Sequence, residues 1–113
     1  MYPNLSDGQL VLINKKYKSI DVEDIIVFKT DEGYSIKRVI ATSGDIVTLL
    51  DNYVYINEVR ISPYTYEGVT SVTYILDSDE YFVVGDNYLV SYDSRDYGPI
   101  QKTSVIGKVI IEF

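Results

Sequence analysis

Apolar residues occur along the chain in short runs that are rich in valine, isoleucine and tyrosine. The runs cover residues 10–13, 25–28, 36–41, 46–50, 53–56, 72–76, 81–84 and 105–111. Each has the length of a strand, and β-branched and aromatic residues favour strands. Turn-forming residues such as Asp31, Gly33, Asp51 and Asn52 separate the runs. The pattern therefore predicts an all-β fold, a folded antiparallel sheet or barrel, with little helix.

Three short segments fit this pattern less well. Residues 99–103 begin with proline, which suits a first helical position, and predict one helical turn. Residues 61–71 contain Pro63 and Gly68 and predict a long loop. The pair Asn57-Glu58 stands where a tight hairpin turn is expected, but glutamate is a poor fit to a turn that needs positive φ at both positions.

Length and composition limit the organisation and the chemistry of the chain. Its 113 residues, of which 46% are hydrophobic and 24% charged, predict one folded domain over residues 1–113. The 10 basic and 17 acidic residues argue against nucleic acid as a partner. The absence of cysteine and histidine excludes a thiolate nucleophile, a cysteine-ligated zinc and a histidine triad. We expect no metal and no cofactor.

Four segments in fixed order carry the strongest functional signal. They are MYPNLSDGQLVLINK at 1–15, EDIIVFK at 23–29, YSIKRVIATSGDIV at 34–47 and YFVVGDNYLVSYDSRDYG at 81–98. Taken together they resemble the motifs of the type I signal peptidase family, and the resemblance extends over nearly the whole chain. The last segment is the most specific, because Ser91, Asp93 and Arg95 follow Gly85-Asp86 at the family's spacing.

The resemblance implies a Ser/Lys catalytic site. Lys37 would be the general base, and Ser91 would orient its amine by a hydrogen bond. A lysine removes a proton only when it is neutral, and burial can lower a lysine pKa by up to about 3–5 units. We therefore expect Ile36, Val39 and neighbouring strands to shield Lys37 from water.

The family pattern places the nucleophilic serine directly before Met1, so the sequence as written lacks its nucleophile and is expected to be inactive.

The resemblance also implies supporting residues around this pair, namely Arg38, Gly85, Asp86, Asp93 and Arg95. We expect Asp93 and Arg95 to lie two apart on a strand or extended loop, to point to the same side and to form an ion pair. Arg38 would be a second cation near the Asp93 carboxylate.

A peptide groove is implied between residues 1–5 and 33–36, lined by Met1, Leu5, Val27, Ser35 and Ile36. An extended segment with small residues at alternate positions would bind there as an added strand. The expected partner is a signal peptide or a pilin precursor.

Three functions remain open at this point. The first is an endopeptidase at the extracytoplasmic face of the cell membrane, with its anchor and serine upstream of Met1, since no run of about 18 apolar residues is present. The second is a non-catalytic homologue that assembles pilins, favoured by departures from the family pattern at residues 41–43 and 88–90. The third is a self-cleaving repressor domain, although no Ala-Gly cleavage segment is visible. An amino-terminal strand without its neighbour also predicts a strand-swapped homodimer.

Overall fold

Strands dominate the computed structural model, which describes residues 11–68 and 71–112. They are β1 (Val11–Asn14), β2 (Ile25–Thr30), β3 (Gly33–Ala41), β4 (Ile46–Leu50), β5 (Tyr53–Ile56), β6 (Val59–Thr65), β7 (Val72–Ile75), β8 (Glu80–Val84), β9 (Ile100–Gln101) and β10 (Val105–Glu112). One antiparallel sheet has the order β1-β10-β2-β3-β8-β9, and the other has the order β6-β5-β4-β7. The predicted all-β class with little helix is confirmed.

Helix is confined to one α-helical turn, α1 (Ser94–Tyr97), and one 3₁₀ turn (Lys102–Ser104) among the described residues. The helical turn predicted at residues 99–103 is wrong for its first half, because Ile100–Gln101 pairs with β8. In the part of the chain that the structure covers, no helix has the length and apolar character needed to cross a membrane.

The loop predicted at residues 61–71 is also wrong for its first half, which belongs to β6. Pro63 is tolerated there because β6 is the edge strand of its sheet, where a missing N–H removes no pairing.

The turn at Asn57-Glu58 adopts the strained geometry that the sequence disfavours. Asn57 has φ of 52° and Glu58 has φ of 71°, between the paired residues Ile56 and Val59. Strand pairing on both sides thus imposes a left-handed backbone on a glutamate.

Among the described residues, most of the apolar core lies in two clusters on opposite faces of the central strands β3 and β8. One cluster joins the two sheets through Ile40, Ala41, Val47, Leu49, Val54, Leu76, Phe82 and Val84. The other contains Ile20, Ile26, Phe28, Val39, Tyr81, Val83 and Ile100. Because side chains alternate along a strand, Val39 enters one cluster and Ile40 the other. β3 is therefore held on both faces, and Lys37 precedes Val39 on the same face.

Candidate active site

Lys37 and Ser91 meet although they lie 54 residues apart: the Lys37 Nζ donates a hydrogen bond to the Ser91 Oγ at 3.1 Å. Lys37 is on β3, and Ser91 is in the loop between β8 and α1. The contact thus joins the central strand of the large sheet to the loop that carries the most specific motif.

Burial is the main influence on the Lys37 amine. It lowers the pKa of Lys37 below the ordinary value of 10.5, while the nearby Asp93 carboxylate acts in the opposite direction. On β2, the residues paired with Lys37 and Ser35 are Ile26 and Phe28, which are almost fully buried. Val39 lies on this face as expected, but Ile36 lies on the opposite face of β3, because adjacent residues of a strand point to opposite sides.

Gly85 leaves the space that Ser91 occupies. A Cβ at position 85 would lie 2.6 Å from the Ser91 Cβ and 3.4 Å from the Lys37 Nζ. The Gly85 amide also donates to the Asp93 Oδ2 at 3.0 Å. The missing side chain at position 85 is therefore a condition for the contact between the serine and the lysine.

Asp93 is fully buried and is satisfied by several donors. Its carboxylate accepts bonds from the Gly85 amide, from the Arg95 amide at 3.1 Å, and from the Arg95 guanidinium at 3.0 and 2.8 Å. Burial by itself would raise the pKa of Asp93, but these bonds outweigh it, and the pKa lies below its usual value. The Ser91 hydroxyl interacts with the same carboxylate. Asp93 thus contacts the same Ser91 hydroxyl that accepts the hydrogen bond from Lys37.

The backbone around Asp93 differs from the expected extended segment. Asp93 is the N-cap of α1, and its amide donates to the Asp96 carboxylate at 2.9 Å, which completes a capping box. Ser94 is also fully buried, and its Oγ accepts a bond from the Val83 amide at 2.9 Å. The cap and this bond fasten α1 to β8 and fix the loop between them.

Arg95 connects α1 to two other segments. Besides Asp93, its guanidinium donates to the carbonyl oxygens of Thr65 at 3.1 Å and of Tyr88 at 2.7 Å. The predicted ion pair between Asp93 and Arg95 is present, at 2.8 Å, with both side chains nearly inaccessible to solvent.

Arg38 has a different partner from the expected one. Its guanidinium forms a two-pronged ion pair with Asp86, at 2.9 Å for each bond, and donates to the Glu23 carbonyl at 3.0 Å. Arg38 therefore pairs with Asp86, whereas it was expected to be a second cation near the Asp93 carboxylate. Because Lys37 and Arg38 are adjacent on β3, their side chains leave on opposite faces. Arg38 instead holds the Gly85-Asp86 turn against β3.

The predicted groove residues fall into three groups. Met1 and Leu5 lie outside the described residues. Val27 is buried and pairs with half-buried Ile36 on the face opposite Lys37, whereas Ser35 is on the same face as Lys37. In the described structure, β8 pairs with β3 only from Arg38 onward, so no strand covers the edge of β3 before it. This edge leads directly to Lys37.

A cavity of about 540 Å³ adjoins this edge, and the sequence did not predict it. It is lined by Phe28, Ser35, Lys37, Tyr92, Tyr97 and Ile100, with other residues of the β2–β3 hairpin. In the sequence, Tyr92 and Tyr97 stand on either side of Asp93 and Arg95. This position next to the most specific motif is the signal by which the two tyrosines could have been assigned to the site. Burial raises the pKa of Tyr97, so its hydroxyl stays protonated. Within the described ranges, no three carboxylate, histidine or cysteine side chains form a metal-binding group.

Known proteins resemble this chain over most of its length. The family model described as signal peptidase, peptidase S26 matches residues 1–113. Signal peptidase I V of Bacillus subtilis is 31% identical over 130 residues, which cover 96% of this chain and 77% of that protein. Thylakoidal processing peptidase 1 of Arabidopsis thaliana is 28% identical, and the match covers 100% of this chain but 39% of that protein.

A solved structure shows the same fold. Signal peptidase I from Enterococcus faecalis superposes with a TM-score of 0.64 and 28% sequence identity, over 85% of this chain and 100% of that structure.

Proposed function

Because the chain belongs to the signal peptidase, peptidase S26 family, as its four motifs predicted, we propose that it is the Ser/Lys core of an endopeptidase that cleaves secreted precursors. The observation that carries the proposal is the hydrogen bond of 3.1 Å between the Lys37 amine and the Ser91 hydroxyl. A family member that had abandoned cleavage would have no need of a half-buried lysine amine with a lowered pKa.

The proposed chemistry uses a serine directly before Met1 as the nucleophile. Neutral Lys37 takes the proton from the serine hydroxyl as its oxygen attacks the scissile carbonyl. The resulting ammonium gives that proton to the leaving amine when the peptide bond breaks. Lys37 then takes a proton from a water molecule as that water attacks the acyl-enzyme carbonyl. When the ester bond breaks, the ammonium returns the proton to the serine oxygen, which restores the free serine and the neutral lysine.

Ser91 would act as a positioning residue for the lysine. Its Oγ accepts one of the amine hydrogens, and this bond directs the nitrogen lone pair away from Ser91. Asp93, held by Arg95 and the Gly85 amide, would keep the Ser91 hydroxyl in place through its own hydrogen bond to that hydroxyl.

The proposed substrate segment is the end of a signal peptide, bound in an extended form along the edge of β3 that no described strand covers. Added strands bind through backbone hydrogen bonds, and their alternate side chains determine specificity. The edge ends at Lys37, which would place a scissile bond beside the base. We further propose that the protein acts at the extracytoplasmic face of the cell membrane and is anchored by a segment upstream of Met1.

The test uses the full-length protein in detergent or vesicles, with a secreted precursor as substrate. We expect cleavage by the wild type, a fall of at least about a thousandfold in Lys37→Met, and a serine before Met1. Lys108→Met is the matched control, because Lys108 pairs with Asp24 at 2.9 Å and is not part of the site. Unchanged cleavage in Lys37→Met would overturn the proposed chemistry. If deletion of the protein abolished pilus polymerisation while precursor processing stayed normal, the assembly role would be favoured instead.

A further inference from the structure

The cavity beside Lys37 is walled by an aromatic pair that the proposed chemistry does not use. The rings of Tyr92 and Tyr97 pack edge to face, with centroids 5.1 Å apart. Tyr92 is 69% exposed, although its ring lines the cavity. Phe28 and Ile100, both buried, form the apolar floor.

The cavity is continuous with the edge of β3 where the substrate segment is proposed to bind. Ser35 and Lys37 both line it, and they lie on one face of that strand. In a strand added to the edge, every second side chain points to this face. These side chains would therefore enter the aromatic cavity, and the side chains between them would point to the opposite face.

We propose that this cavity is a specificity pocket for a large apolar or aromatic side chain of the precursor, close to the scissile bond, and that Tyr92 and Tyr97 select it. This inference rests on the function proposed above. A volume of about 540 Å³ falls within the range of ligand pockets and exceeds what a small side chain fills.

The chemistry of the lining favours an uncharged occupant. Ring edges and faces suit an incoming aromatic ring, which prefers offset or edge-to-face contacts. The rim contains Lys29, Asp31 and Glu32, so charges of both signs surround the entrance. Because the rim carries charges of both signs, apolar contact with the buried side chains of Phe28 and Ile100 favours an apolar occupant.

The experiment measures binding of short fluorescein-labelled peptides to the chain by fluorescence anisotropy. The peptides are built from alanine and serine, and each carries a single phenylalanine at one of several successive positions. We expect phenylalanine to tighten binding about tenfold or more at positions of one parity, relative to alanine there, and to have little effect at the positions between. Tyr92→Ala should remove this preference, and Tyr92→Phe should keep it.

A matched control is Ile75→Ala, because Ile75 is also 69% exposed but lies on β7 of the other sheet. It should keep the wild-type preference. Two results would overturn the specificity pocket while leaving the proposed function intact. One is equal binding of all peptides wherever phenylalanine stands, and the other is a positional preference that persists in Tyr92→Ala. Failure of every peptide to bind would overturn strand addition at β3 itself, and with it the proposed function.

Discussion

Gly85 and Ser91 pack so closely that a methyl group on Gly85 would lie 2.6 Å from the Ser91 Cβ. Two carbon atoms cannot approach to that distance without displacement of one of them. The serine that contacts Lys37 therefore occupies its position only because residue 85 has no side chain.

Gly85→Ala should separate Ser91 from Lys37 and destabilise the fold by about 1–3 kcal/mol through overpacking. Urea denaturation measures the loss. The second substitution in Gly85→Ala/Ser91→Gly removes the atoms that clash, so it should restore much of the lost stability. A double variant that is no more stable than Gly85→Ala would contradict this packing relationship.

Arg95→Met should be the most damaging change among the described ion pairs. It leaves the fully buried Asp93 carboxylate without its cation, a change that costs about 3–5 kcal/mol in buried pairs. Lys108→Met breaks an ion pair of similar length whose side chains are each 26% exposed, and it should cost less than about 1 kcal/mol. Equal losses in the two variants, measured by urea denaturation, would refute the structural role given to Arg95.

Asp93→Asn should show how this carboxylate contributes to stability at different pH values. The folded state holds the pKa of Asp93 below its ordinary value of 3.8, so the unfolded chain takes up the proton first as the pH falls. The contribution is therefore present above pH 3.8 and disappears as the pH falls through the lower folded pKa. The stability difference between wild type and Asp93→Asn should therefore narrow as the pH falls from 3.8 through the folded pKa of Asp93. A difference that stays constant down to complete protonation would show that the ionised form has no special role.

Glu58→Gly should stabilise the fold by about 1 kcal/mol, since glycine adopts a left-handed backbone without the steric penalty of a Cβ. Glu58 has φ of 71° in the β5–β6 turn. Asn57→Gly is the matched comparison at φ of 52°, and its gain should be smaller because asparagine tolerates this conformation. Thermal or urea denaturation gives both values. If Glu58→Gly destabilised the fold instead, the glutamate side chain would contribute more to the free energy of unfolding than its left-handed backbone costs.

Much of the fold could be predicted from local pattern. Strand-length apolar runs identified most of the strands, because β-branched and aromatic residues suit a half-buried sheet surface. Pro63 misled the prediction at β6, because proline is locally unfavourable in a strand. Glu58 is locally unfavourable in the turn that was expected at residues 57–58. Edge placement tolerates the first and strand pairing imposes the second, and neither is visible before the topology is known.

The candidate site was predictable in its members but not in all its contacts. Lys37, Ser91 and the ion pair between Asp93 and Arg95 followed from the motifs. The partner of Arg38 did not, although strict alternation along a strand already separates Arg38 from Lys37. The cavity at Tyr92 and Tyr97 forms because α1, which packs on β8, and the β2–β3 hairpin both line it, and no local pattern contains that information.

The central claim, that Lys37 is a desolvated amine poised as a base, is tested most directly by titrating its side chain by NMR in the folded chain. Burial disfavours the ammonium form, so Lys37 should lose its proton at a lower pH than its ordinary pKa of 10.5. A titration of Lys37 at or above 10.5 would contradict the account.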